Sequence, residues 1–222
     1  MHAKILQLPK RTPQPNREPL YDLRFRALVG PQEWEQLPTE VQRRFTKRLS
    51  GPAVALYRGL VVEMHVSWLG RLLAQACRLF GAPLPLCHHT GVAALVSVSE
   101  DASSGGQCWT RVYARPGRFP QVIHSAKRFA GPTGLEEHLG RGLGMALRIE
   151  TLDDGIAFVS DHYFIQVARL RLRLRLSAWL TPGTTRVIHR QVAGSSFLFG
   201  LELTHPWAGR LFHQQVLFDD VD

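Results

Sequence analysis

Residues 169–176 read Arg-Leu-Arg-Leu-Arg-Leu-Arg-Leu, a strict alternation over eight positions. On a helix these arginines would be scattered around the whole circumference. On a strand, Arg169, Arg171, Arg173 and Arg175 share one face and Leu170, Leu172, Leu174 and Leu176 the other. A half-buried strand is therefore predicted, with the leucines toward a core and the guanidinium face outside it. Four buried guanidiniums would need four partners, and the chain has 27 Lys and Arg against 18 Asp and Glu.

Segments on both sides of this run also read as strands. Val92 to Ser99, Gln107 to Arg115 and Arg118 to Ala130 are separated by polar or Pro-Gly turns. Leu143 to Ile149 alternates, and Asp154-Gly155 signals a hairpin into Ile156 to Val167. Thr185 to Val192, Ser195 to Thr204 and Leu211 to Phe218 follow, with Phe197, Phe199, Leu201 and Leu203 set to one side. Such a series leaves exposed edges unless the sheet curls. The expected architecture is mainly β (α+β): a curved antiparallel meander or barrel of about eight to nine strands, with two or three N-terminal helices.

Those helices are marked by breakers and by the order of their charges. Leu23 to Val29 offers an apolar face before Gly30-Pro31, and Pro38 to Leu49 carries Glu40 early and Arg43, Arg44 and Arg48 late, in accord with the helix dipole. After a strand over Ala53 to His65, the segment 69–80 is the clearest helix. Its stripe of Leu69, Leu72, Leu73, Ala76 and Phe80 is expected to pack on the sheet, with Ser67 as N-cap and Gly81 and Pro83 as terminators. Residues 1–19, with four prolines among polar and basic residues, are read as a disordered tail, and 20–222 as a single domain.

Composition narrows the function classes. The formal charge of +9 comes mostly from arginine, which suits phosphate, carboxylate or an anionic surface. No run approaches the length of a membrane span and the start lacks the apolar centre of a signal peptide, so a cytoplasmic protein is expected. Cys77, Cys87 and Cys108 are odd in number and lack CxxC spacing, which argues against a disulfide framework. Gly140-Arg141-Gly142-Leu143-Gly144 lies between strands rather than between a strand and a helix, so no dinucleotide cofactor is assigned. Cys87-His88-His89 provides too few convergent donors for a metal. The arginines alternate with leucines rather than aromatics, which disfavours nucleic acid.

Asp161-His162-Tyr163 is the one candidate for chemistry, because its strand is apolar on both faces and could enclose the imidazole beside a carboxylate. His162 and Tyr163 are thus candidate ligand-binding residues, and His162 with Asp161 the weak catalytic candidates. Glu136-Glu137-His138 sits beside a turn and is read as solvent-facing.

Taken in order, Phe25 to Gly30, Tyr57-Arg58-Gly59 before the Leu72/Leu73 helix, Trp109-Thr110-Arg111, the Gly142 to Leu152 strand and Trp179 to Pro182 resemble a bacterial domain-of-unknown-function family, the one numbered 4166. The resemblance covers Leu20 to Phe218. It implies a protein that stands alone or is appended to saccharopine-dehydrogenase-like domains, and it brings no catalytic residues. The leading reading is an accessory module whose barrel mouth binds an apolar or amphipathic small molecule. Its rivals are an enzyme acting on such a ligand through His162, and an interaction domain that docks a reductase-like partner or an anionic surface through the Arg169 to Arg175 face.

Overall fold

The structure is a computed structural model that describes residues 21–79, 81, 84–167 and 172–220. Eleven strands form one antiparallel sheet: β1 (Val54–Val66), β2 (Ala93–Asp101), β3 (Gly106–Arg115), β4 (Arg118–Arg128), β5 (Glu136–Gly140), β6 (Leu143–Leu152), β7 (Gly155–Val167), β8 (Leu172–Arg175), β9 (Thr184–Ala193), β10 (Ser196–His205) and β11 (Gly209–Asp220). Pairing of β6 with β7, and of β7 with β9, closes ten of them into a barrel and leaves β8 outside. The count exceeds the expected eight to nine. One omission was β5, whose five residues carry Glu-Glu-His and too little apolar alternation to stand out.

Among the described residues, four α-helices accompany the barrel, α1 (Arg24–Val29), α2 (Pro31–Gln36), α3 (Thr39–Thr46) and α4 (Trp68–Leu79), with a one-turn helix at Ala178–Leu180 before β9. The first three close one end. Phe25 packs edge-on against Phe45 at 5.2 Å and Phe129 at 4.9 Å, and both Phe25 and Phe45 meet Phe158 of β7. Trp34, Leu37 and Val41 are buried with them, so these helices form a plug that shares the barrel's core. The early acid and late bases of α3 are as the sequence indicated.

Helix α4 crosses the other end. Its twelve residues span about 18 Å, from a start against β11 to a finish at the β5–β6 turn. Ser67 caps it, with Oγ accepting from the Gly70 amide at 3.0 Å. Gly70 rests on the Leu211 carbonyl so closely that a Cβ would lie 2.1 Å from that oxygen. At the far end, Arg141 Nη1 donates to the Leu79 carbonyl at 2.6 Å. The helix packs on the sheet as expected, with Leu69, Leu73 and Ala76 of the expected stripe facing the barrel but Leu72 turned away from it. Gly70 and Ala74 are buried and Leu73 is half-buried, while Leu72 is largely exposed, because small residues allow the close approach to β11. Phe80 lies outside the described residues.

The arginine run departs further from expectation. Arg169, Leu170 and Arg171 lie outside the described residues. The remainder, β8, pairs only with β7 and only on the outside of the barrel, so Leu172 and Leu174 are exposed rather than directed to the core. Arg173 folds back, with its guanidinium 3.6 Å over the Phe164 ring and 2.6 Å from the buried Glu136 carboxylate. Arg175 is exposed. An added edge strand has no second layer to bury its apolar side, and this overrides the period-two pattern. The Leu176 side chain, past the strand's end, reaches the barrel interior.

The predicted β6–β7 hairpin is present, with Asp153 and Asp154 as its turn and Gly155 as the first residue of β7. Glycine is required at 155 because a Cβ there would lie 1.8 Å from the His189 carbonyl oxygen of β9. Gly140-Arg141-Gly142 is likewise a hairpin turn, between β5 and β6. Among the described residues, no helix is long and apolar enough to cross a membrane.

Candidate functional site

Alternation along the closed strands decides what the barrel encloses. Tyr57 and Val61 of β1, Ala94, Val96 and Val98 of β2, and Phe197, Phe199 and Leu203 of β10 all point inward. Toward the plug these side chains fill the interior. Beneath α4 they leave a cavity of about 380 Å³. Leu73, Ala76 and Cys77 of α4 roof it; Ile123, Leu139, Met145, Tyr163 and Leu201 line its walls; Leu176, Leu180 and Pro182 close the gap where β9 separates from β7. Its volume lies within the range of small-molecule sites, about 300–1,000 Å³.

The lining is mostly apolar, with His124, Tyr163 and Thr185 on the walls and Arg111, Ser125 and Glu137 reaching the cavity surface at the deep end. Arg111 on β3 shares its face with Trp109 and Tyr113. Its Nη1 donates to Ser125 Oγ at 3.0 Å and its Nη2 to Glu137 Oε1 at 3.3 Å. Lys127 Nζ donates to Glu137 Oε2 at 3.2 Å and lies over the Trp109 ring at 4.7 Å. Two cations therefore share one carboxylate, and Arg111 Nε has no hydrogen-bond partner. Burial pushes the Lys127 ammonium below its ordinary range, against the attraction of Glu137. Higher on the wall, the Tyr163 hydroxyl lies 2.6 Å from Thr185 Oγ1, and burial raises its pKa to about 12. Burial likewise raises that of the Cys77 thiol.

Below this floor, His189 of β9 stands in an aromatic box. Phe45, Trp109, Phe158, Phe197 and Phe199 surround its ring, and neither imidazole nitrogen has a hydrogen-bond partner. Burial, reinforced by Lys127, Arg44 and Arg111, holds its pKa well below 6.5. Above pH 6.5 the imidazole is neutral folded or unfolded. As the pH falls through 6.5 the unfolded chain takes up a proton that the folded one refuses, so stability falls. The expected slope approaches about 1.4 kcal/mol per pH unit below that point. Urea unfolding between pH 7.5 and 5.5 should show a steeper slope in the wild type than in His189→Phe, in which only the smaller contributions of the lowered His138 and His88 remain. Equal slopes would place the proton uptake elsewhere.

The structure separates the residues singled out from sequence. β7 carries an extra residue, Asp161, where Ala146 pairs with His162 and Leu147 with Ser160. This bulge reverses the facing beyond it, so Tyr163 and Ile165 line the cavity and His162 turns outward. His162 Nδ1 lies 2.7 Å from Asp161 Oδ2, and Asp161 also pairs with Arg148 on the outer surface. Glu136 and Glu137, read as solvent-facing, are both buried: Glu136 under Arg173 and His138 outside the barrel, Glu137 inside it. Arg111, Lys127 and Glu137 were missed. The available signal was alternation, since each shares a strand face with apolar neighbours: Trp109 and Tyr113 for Arg111, Ile123 for Lys127, and Leu135 and Leu139 for Glu137. His88 and His89 are exposed, on the connector between α4 and β2. Among the described residues, no three His, Cys, Asp or Glu side chains are grouped to hold a metal.

Fold and interior together define a plugged, lidded antiparallel β-barrel with an apolar lumen and a charged floor. Residues 37–218 match the model of a family described as a domain of unknown function, DUF4166, and the chain belongs to that family. No curated protein and no solved structure matches it.

Proposed function

We propose that the barrel is a binding module for one amphipathic small molecule, with its apolar body in the lumen and an anionic head on Arg111. The observation that carries this reading is the contrast within one cavity. Its walls are mostly hydrocarbon, and its deep end presents Arg111, which shares the single carboxylate of Glu137 with Lys127 and whose Nε has no hydrogen-bond partner. An interior with a surplus positive charge is stabilised by a ligand that supplies the missing negative one. Tyr163 and Thr185 add a neutral polar contact partway up the wall.

Calorimetric titration with dodecanoate and with dodecanol tests the assignment. The carboxylate is expected to bind one to one and more tightly than the alcohol, and Met145→Trp, which fills the lumen, should abolish both. Arg111→Gln should remove the preference for the carboxylate by about ten- to a hundredfold, the worth of a charge-assisted hydrogen bond of about 1.5–3 kcal/mol. Equal affinity for acid and alcohol in the wild type would overturn the anionic head, and binding that survives Met145→Trp would overturn the lumen.

A further inference from the structure

Beyond the lumen, we propose that the lidded end of the barrel docks on an anionic lipid membrane surface. Three of the five tryptophans, Trp68, Trp179 and Trp207, are more than two-thirds exposed, and all three lie at this end: at the start of α4, on the one-turn helix before β9 and in the β10–β11 turn. Phe119 at the start of β4, 93% exposed, and Leu72 and Leu79 on the outer side of α4 complete the set. Exposed side chains of this size are costly in water. Tryptophan in particular favours the interface between water and lipid, where its ring is apolar and its N–H remains wet.

The charge at this end fits one kind of partner. The described residues that build it, within 67–92, 115–120, 140–144, 167–184 and 203–211, include no aspartate or glutamate. Arg71, Arg78, Arg118, Arg141 and Arg210 are exposed there among the aromatic residues. The plugged end, by contrast, mixes its bases with Glu33, Glu35, Glu40, Glu100, Asp153 and Asp154. An acid-free rim is attracted to negatively charged headgroups, and its tryptophans and leucines can insert beside them. A protein partner would ordinarily be met by charges of both signs arranged to fix one orientation. The rim itself has one sign only, the nearest acids, Glu63 and Glu202, lying a few residues down the outer wall against His213, and this suits a laterally fluid surface. The orientation that results places α4, the roof of the lumen, against the lipid.

The test is co-sedimentation of the full chain with vesicles of phosphatidylcholine alone and of phosphatidylcholine with phosphatidylserine. Binding is expected to the mixed vesicles, to be weak on the neutral ones, and to fall with added salt. Arg71→Gln, Arg78→Gln, Arg118→Gln and Arg210→Gln should each weaken it about fivefold, at about 1 kcal/mol per basic residue near the surface. Trp179→Ser with Trp207→Ser should weaken it at least tenfold without moving the melting temperature. Brominated lipid should quench the exposed tryptophans and leave the buried Trp34 and Trp109 unquenched. These variants leave the basic residues of 1–19 intact, so binding that survives them would belong to that segment and overturn the proposal. Binding to an acidic polypeptide such as polyglutamate but not to vesicles would make the rim a protein surface and also overturn it. The lumen-filling Met145→Trp should bind vesicles as the wild type does, which separates this proposal from the bound ligand.

Discussion

Glu137→Ala is expected to lower the stability of the barrel by about 3–5 kcal/mol, the usual cost of breaking a buried ion pair from one side. Glu137 is the carboxylate that touches both Arg111 and Lys127, and Lys127 is completely buried. Without Glu137, Lys127 could shed its proton, but a guanidinium cannot, so Arg111 would remain charged against Ser125 alone. Urea unfolding should report the loss. Adding Lys127→Met to Glu137→Gln should recover only the part of the loss that Lys127 causes, because Arg111 keeps its charge and still lacks a carboxylate.

The same group sets an acid limit. Burial alone would raise the Glu137 carboxyl, but Lys127 and Arg111 hold it at about 2. Its folded value lies below its ordinary 4.5, so its contribution is present above pH 4.5 and lost as the pH falls from there toward 2. That window is separate from the one His189 opens at 6.5. If Glu137→Ala unfolds within about 1 kcal/mol of the wild type, water must reach the floor and the cluster is not the buried triad described above.

Phe25→Ala should cost a similar amount, about 3–5 kcal/mol, from a helix of only six residues. Phe25 is fully buried and meets Phe45, Phe129 and Phe158, so truncating it opens a void between the plug and the barrel rather than at a surface. For a domain of this size the melting midpoint moves about 2–4 °C per kcal/mol, and a fall of roughly ten degrees is expected. A variant that loses helicity at an unchanged midpoint would show that α1 is an appendage and that the barrel closes without it.

Much of the architecture could be read from local pattern. The breakers at Gly30-Pro31 and the charge order of α3 marked the plug helices, Ser67 marked the start of α4, and alternation in β10 gave the inward set of Phe197, Phe199, Leu201 and Leu203. Such features follow from the geometry of a few neighbouring residues, and the sequence by itself determines them. It also determines the absence of acids from the five segments of the lidded end, although nothing in the linear order shows that these segments meet.

Facing, register and enclosure were decided only by the tertiary structure. Asp161 is one extra residue opposite β6, and that single insertion sends His162 out and Tyr163 in, a reversal that composition cannot report because both faces of β7 are apolar enough. The arginine run has a clear period, yet its described part pairs on the outside of a barrel already closed by β6, β7 and β9, so its leucines find no core. Arg111, Lys127 and Glu137 come from three strands and become a site only when closure removes water from around them. A charge beside aromatic residues in a sequence is ordinarily a solvated one. Here barrel closure and the helical plug make it an interior charge, which must then find a partner.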